Sequence, residues 1–315
     1  MRNMSKDITK KQHYVWRNYL GAWKNAKEDK LIWTGLIKQN EVKELGLMDV
    51  AQGSYFYKLA ELNDSELGFL RKLTNTLPPG SKNIAELLLT GYIMFTQLKQ
   101  DMALGKVKSN QDFEHEVKKI EHAAFENIQT QIEGLGSRLL KCNSIADIEE
   151  LAKEDEYEFL YYLWVQYMRT KSMKDRVSDS MDERKWLQDL NRKCWPFFNL
   201  VMAMCMVETM VIKKDHRYVF LKNDSDTPFI TGDQPAINAL GNISDEEGFA
   251  KQLKVFYPMS PTKALCIAFD AGDKFCEKTV DRDFVKRMNQ MIMEESLLHI
   301  FANEAKVLKD LMGVE

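Results

Sequence analysis

The stretch Phe229-Ile230-Thr231-Gly232-Asp233-Gln234-Pro235 carries the most suggestive chemistry in the chain. A β-type run feeds directly into Gly, an acid and Pro, so the backbone must turn sharply where the strand ends. A carboxylate held at such a rim could receive a substrate proton or a divalent metal ion. The same carboxylate could instead accept backbone N–H groups and simply cap the turn. Both readings stand at this point. The run His13-Tyr14-Val15-Trp16 supplies a second candidate, since imidazole titrates near neutral pH and serves as general acid, general base or ligand. A lone His at a helix start also serves as an ordinary hydrogen-bonding fixture. His115 and His122 lie seven apart on one helical face beside Lys118 and Lys119, a solvated setting, and His216 and His299 flank or enter β-type runs.

The familiar catalytic signatures are missing. No phosphate-binding GxxxxGK[ST] loop, GxGxxG, HExxH, GxSxG or calcium-binding loop occurs, which excludes several large enzyme classes without excluding an enzyme. The basic residues Lys171, Lys174, Arg176, Arg184, Lys185, Lys213, Lys214 and Arg217 are interleaved in part with Asp175, Asp179, Asp182 and Glu183. That mixture reads as a solvated face rather than a track for a phosphate backbone.

Composition bounds the rest. The 315 residues are 44% hydrophobic and 29% charged, with a net charge of -3, values suited to a well-packed, soluble chain without a strongly nucleic-acid-binding surface. Five scattered cysteines (Cys142, Cys194, Cys205, Cys266, Cys276) form no CxxC or Cys/His spacing, so free thiols in a reducing compartment are expected. Met1 to Gln12 is basic and polar, unlike a signal peptide. The apolar run Pro196 to Ile212 is interrupted by Asn199 and Glu208 and is shorter than the ~20 residues that span a bilayer. It reads as a central buried helix, with no membrane partner, in a cytoplasmic protein.

The elements that must position these residues follow from periodicity. A short helix is predicted over His13 to Lys24, then a hairpin over Leu31 to Lys38 and Glu41 to Asp49 with Gln39-Asn40 at its turn. Residues 64–214 read as helical, broken at Leu77-Pro78-Pro79-Gly80-Ser81. Long helices are predicted over 110–141 and 144–168, the second opening on a capping pattern at Ser144-Ile145-Ala146-Asp147. Its aromatic residues from Tyr157 to Tyr167 go nearly all the way round, which suits either a core helix or a homo-oligomer interface. Residues 170–185 read as a loop. Short β-type runs at Arg217 to Leu221, Phe229 to Thr231, Leu253 to Tyr257 and Lys263 to Phe269 precede a helix over 281–296 and a strand over Leu297 to Phe301. The fold class is therefore α+β: a predominantly helical body with a small, mainly antiparallel sheet built from N- and C-terminal segments. One intertwined domain over 1–315 is expected, with the hairpin at 30–50, the helical middle at 64–214, the sheet-rich part at 215–270 and the last helix at 281–296.

These landmarks resemble the uncharacterised domain-of-unknown-function family 4238. The resemblance rests on His13-Tyr14-Val15 with Tyr19-Leu20, on Tyr55-Phe56-Tyr57, on Ile93 to Gln97, on His216 to Pro235, on Tyr257-Pro258-Met259-Ser260-Pro261 and on Asn289. It runs from His13 to about Asn303. Trp16 stands where that family usually has Pro, Gly232 where it has Ser, and Gln100 where it has Arg. The resemblance implies that His13, Gln97, Thr231, Asp233 and Asn289 converge. The leading expectation is an intracellular hydrolase of a phosphodiester or nucleotide, of use in bacterial defence. His13 and Asp233 would be catalytic, and Tyr14, Gln97, Thr231, Gln234 and Asn289 substrate-binding, with a divalent metal as one option at Asp233. The partners would be a nucleic acid or nucleotide. The alternative is a non-enzymatic binding or regulatory protein, in which the Asp233 block only organises the sheet.

Overall fold

The described residues open with a strand that the sequence did not suggest, and the helix predicted over His13 to Lys24 is present only as two short turns. Lys11–His13 (β1) precedes a single helical turn, Arg17–Leu20 (α1), and a 3-10 turn at Gly21–Trp23. The hairpin follows as Leu31–Leu36 (β2) and Glu41–Gly46 (β3), and then comes Gln52–Ser54 (β4). β1 pairs antiparallel with β4, so His13 lies opposite Gln52. That pairing joins segments about forty residues apart, and local periodicity carries no trace of it. The hairpin turn matches its prediction, with Asn40 at a φ of 52°, a conformation that Asn tolerates better than most residues. The computed structural model describes residues 11–25, 28, 30–181, 184–241 and 252–314. Most of the N-terminal stretch read as unlike a signal peptide lies outside these, as do residues 182 and 183 of the expected loop.

The helical middle comprises Asp64–Asn75 (α2), Pro79–Ala103 (α3), Gln111–Leu139 (α4), Ile145–Met168 (α5), Lys171–Asp179 (α6), Lys185–Lys193 (α7) and Trp195–Lys213 (α8). Their starts are chemically marked. Asn63 with Glu66, and Ser144 with Asp147, form capping boxes at α2 and α5. Asn110 caps α4. Where a loop was predicted, Thr170 accepts the Met173 N–H at 3.2 Å and starts α6. The α6 charges then pair within the protein, Lys171 with Asp175 and Arg176 with Glu295.

α8 is the apolar run expected at the centre. By length and hydropathy it could cross a membrane, but 67% of its apolar window is buried inside the protein, against α3 and α5. Glu208 breaks its apolar pattern for a reason. Its carboxylate accepts the Gly80 and Ser81 N–H groups at 2.7 Å each, answering open donors at the N-terminus of α3.

The C-terminal part adds Arg217–Asn223 (β5), Thr231–Gly232 (β6), Ile237–Asn238 (β7), Lys254–Ser260 (β8), Lys263–Ala268 (β9), Phe275–Val280 (β10), Arg282–Glu295 (α9), His299–Ala302 (β11) and Ala305–Met312 (α10). A five-stranded sheet runs β10-β5-β9-β8-β7, with its β10–β5 edge pair parallel. A four-stranded antiparallel sheet runs β3-β2-β11-β6, so the N-terminal hairpin is completed by C-terminal strands as expected. The fold is α+β, and its mixed sheet is larger than predicted because β10, whose middle is exposed, escaped the pattern reading.

One ionic cluster ties α5 to the five-stranded sheet. Glu156 accepts from the Tyr218 hydroxyl at 2.8 Å and lies 3.2 Å from His216 Nε2 and 3.3 Å from Lys274 Nζ. Hydrogen bonding to His216 first, then to Tyr218 and Lys274, holds its carboxyl down at about 2. Because this lies below the ordinary value of 4.5, the stability contributed is full above about pH 4.5 and is lost as pH falls through about 2. Glu156→Gln should therefore flatten the decline of the urea midpoint between pH 4.5 and 2 relative to the parent. Parallel declines in the two proteins would remove this role.

Candidate functional site

The residues of the Phe229-to-Pro235 block come together, but as a closed joint. Asp233 is 1% exposed. Its carboxylate accepts the Leu297 and Leu298 N–H groups at 2.8 Å each and the His299 N–H at 3.2 Å, while its own N–H reaches the His299 carbonyl. Burial pushes this carboxyl up to about 6, although the three amides pull the other way. Asn289 accepts the Ile230 N–H at 3.0 Å and donates to the Pro228 carbonyl at 2.9 Å. Gln234 donates to the carbonyls of Tyr167 and Ala236 and accepts from the Thr170 hydroxyl. Thr231 bonds the Tyr19 hydroxyl at 2.7 Å, and Tyr19 reaches the Pro258 carbonyl and stacks on Tyr257.

Asp233 therefore corrects the catalytic expectation: three backbone amides occupy its carboxylate, which is closed off from solvent. Thr231 and Gln234 likewise hold protein groups, and Asn289 holds Ile230 and Pro228 while standing at the wall of a separate cavity beside Arg282 and Lys286. Gly232 fits the same joint, since a Cβ there would come within 2.0 Å of Ser296 Oγ. A serine at 232 would collide with that hydroxyl. Gln97 is exposed on α3 and bonded to Asp101, outside the convergence expected of it. Among the described residues no three His, Cys, Asp or Glu side chains group to hold a metal ion, so the divalent option at Asp233 has no ligand set there.

His13 lies elsewhere, on the wall of an open cavity of about 680 Å³. β1, α1 and α4 build it. Gln12 anchors β1 by accepting the Tyr57 N–H at 2.7 Å and donating to the His122 carbonyl on α4 at 2.6 Å. From α4, Glu126, Gln129 and Glu133 face the cavity at helical spacing, opposite His13, Trp16 and Arg17, with Tyr57 and Lys24 completing the lining. Among the described residues, His13 Nε2 is buried and has no partner. Burial first, then the Arg17 charge, pulls the ring pKa below its ordinary value, against the carbonyls of Leu47 and Met48. Glu126 shifts the other way, raised chiefly by burial and lowered in part by Gln12 and Arg17. Arg17 is thus felt by both groups. Tyr14, beside His13, is 1% exposed, and its hydroxyl has no partner among the described residues. Burial and the nearby Asp233 charge drive its pKa upward.

Behind this wall lies Arg169, fully buried at the end of α5. It donates to Glu133 at 2.8 Å and Gln129 at 3.1 Å on α4, and to Gln166 at 3.0 Å on its own helix. Its charge reaches His13, Tyr57 and Tyr162. α4 and α5 approach closely here because Gly136 leaves room for Tyr162, whose ring a Cβ would meet at 2.3 Å.

The pattern of one protein family, described as Protein of unknown function (DUF4238), matches residues 11–306. The chain belongs to this family. No curated protein and no solved structure matches it. Of the residues that carried the resemblance, the Phe229-to-Pro235 block is joinery and His13 lines the cavity. Trp16, the departure from the usual Pro, supplies this member's cavity with an indole wall that packs edge-on against Tyr162. Sequence reasoning missed Arg17, Glu126, Gln129, Glu133 and Arg169. The signal for the α4 trio was their spacing of three and four, a polar stripe running beside Ile128 and Ile132.

Asp233→Asn should lower unfolding stability by about 2–3 kcal/mol, because an amide NH2 would face backbone donors that the carboxylate now accepts. Equilibrium urea unfolding measures this. A variant as stable as the parent would return Asp233 to the functional candidates.

Proposed function

We propose that the His13 cavity is the reaction site of a hydrolase acting on a phosphodiester or nucleotide. The observation that carries this reading is one open cavity holding two titratable groups shifted toward each other, a lowered His13 and a raised Glu126, with Arg17 acting on both. Such opposed shifts are what acid–base chemistry near neutral pH requires. A proton on His13 Nδ1 suits the carbonyls of Leu47 and Met48 and leaves the Nε2 lone pair free to take a proton from water. The water oxygen then bonds to phosphorus, the leaving oxygen departs with its electron pair, and protonated Glu126 supplies that oxygen's proton. Arg17 and Lys24 supply positive charge toward the phosphoryl oxygens, and Trp16 offers aromatic surface to a base. A nucleotide-degrading enzyme of this kind would suit a bacterial defence effector, the use that the family resemblance led us to expect.

The closed bonding of Asp233 favours a second reading, a binding protein in which the same cavity holds a ligand without turning it over. One assay separates the two. With bis(p-nitrophenyl) phosphate and a panel of nucleotides, the parent should show activity that His13→Gln and Glu126→Gln each reduce by about 10²–10⁴-fold in kcat, with KM little changed. Activity should rise as pH climbs through the lowered His13 pKa and fall as Glu126 loses its proton, giving a mildly acidic optimum. A parent that turns over no member of the panel, or variants with parental kcat, would contradict the hydrolase reading.

A further inference from the structure

The tripeptide Tyr55-Phe56-Tyr57, part of what carried the family resemblance, is divided between two cavities. Tyr57 lines the His13 cavity, whereas Tyr55 and Phe56 line a smaller one of about 320 Å³ that shares no lining residue with it. The turn after β4 supplies these two rings, α3 supplies Phe95, α6 supplies Lys174, and the end of α7 supplies Arg192 and Lys193. Tyr55 has a φ of 52°, a left-handed conformation that is an outlier for a bulky aromatic residue and that concentrates at functional sites. Its ring lies 4.3 Å from that of His122 on α4, and Phe56 is braced by Tyr14 at 5.2 Å. Both aromatic walls are thus held in place from behind.

The charges of this cavity do not balance. Lys58 meets Glu121 at 2.7 Å, Lys193 meets Glu66 at 2.8 Å, and Glu61 lies 3.7 Å from Lys99. Arg192 reaches Asp179 and Asp189 only at 3.6 and 3.9 Å. Lys174 is half-buried, with its ammonium 5.3 Å from the centre of the Phe56 ring. Among the described residues no carboxylate pairs with it, and its neighbour Asp175 is engaged by Lys171 at 2.6 Å. Burial lowers the Lys174 pKa, Asp175 opposes this, and the charges of Lys171 and Arg192 add to it. Arg192 is therefore close enough for its charge to be felt at Lys174. A cation partly stripped of water beside aromatic surface is matched by an anion, which returns the interaction that desolvation removes.

We infer that this second cavity binds a small aromatic monocarboxylate, with its carboxylate on Lys174 beside Arg192 and its ring against Tyr55, Phe56 and Phe95. One unmatched cation calls for one negative charge. A carboxylate carries that charge, whereas a phosphate monoester exceeds it at about −1.5 to −2. Three aromatic side chains suit a flat apolar body, and the volume falls at the small end of ligand sites, which run from about 300 to 1,000 Å³. The site stands apart from the His13 cavity and does not depend on the hydrolase reading.

Titration calorimetry on the full chain tests this with naphthoate, its uncharged counterpart naphthamide, and naphthyl phosphate. The parent should bind naphthoate saturably and more tightly than either of the others. Lys174→Gln removes an unmatched charge, so it should stay folded with a Tm equal to or above the parent's, and it should lose about tenfold or more in naphthoate affinity. Tyr55→Asn suits the left-handed backbone while removing the ring, and it should also weaken binding. His13→Gln, in the other cavity, should bind naphthoate as the parent does. No saturable binding by the parent, equal affinity for naphthamide, or parental affinity in Lys174→Gln would overturn the site. Tighter binding of naphthyl phosphate would overturn its assignment to a monocarboxylate. Naphthoate binding lost in His13→Gln but kept in Lys174→Gln would place the ligand in the other cavity and sink this one.

Discussion

A guanidinium with no exposure to solvent constrains everything around it. Removing Arg169 from water costs several kcal/mol unless its charge and its donors are answered, and the answers come from Glu133 and Gln129 on α4 and Gln166 on α5. That requirement locks the two helices in register, and the close approach at Gly136 and Tyr162 is part of the same packing. Tyr162 in turn meets Tyr257 hydroxyl to hydroxyl at 2.8 Å, and Tyr257 stacks on Tyr19, which bonds Thr231. A chain of aromatic and hydroxyl contacts therefore runs from the buried arginine to the strand-end block at 229–235. The buried arginine and the joint between the sheets are coupled by geometry.

Two polar assemblies in one molecule are thus handled in opposite ways. Around Asp233 the carboxylate, both functional atoms of Asn289 and those of Gln234 have partners within the protein, which fastens β6 to β11 and α9. A fully satisfied buried network rigidifies a fold and specifies one arrangement. Around Arg169, by contrast, donors remain without acceptors among the described residues, as does His13 Nε2 on the cavity wall. Unmatched groups are costly for stability and useful for binding, and this one region combines them with oppositely shifted titratable side chains.

The hairpin, the capped start of α5 and the apolar run of α8 were legible in the sequence because each depends on neighbours a few residues away. Thr170 as the cap of α6 was masked by the charged residues that follow it. β1 was missed because its pairing with β4 is decided by residues about forty positions distant. The strand-end block was correctly singled out, yet the choice between catalysis and joinery depended on amides at 297–299 that no local pattern shows. The cavity was legible only through His13. Glu126, Gln129 and Glu133 have the spacing of a solvated helix face, and only their position opposite β1 and above Arg169 distinguishes them from one. Arg169 itself follows an apolar aromatic helix like an ordinary C-terminal cation, and its burial is a tertiary outcome.

The central claim is that the cavity walled by β1, α1 and α4 over Arg169 is where this protein meets its ligand. A crystal structure grown with a saturating nucleoside monophosphate tests it most directly. The account predicts the phosphate seated in this cavity, with the base against Trp16 and His13 Nε2 facing the phosphoryl group. Ligand bound elsewhere, or a cavity holding only water at saturation, would contradict it.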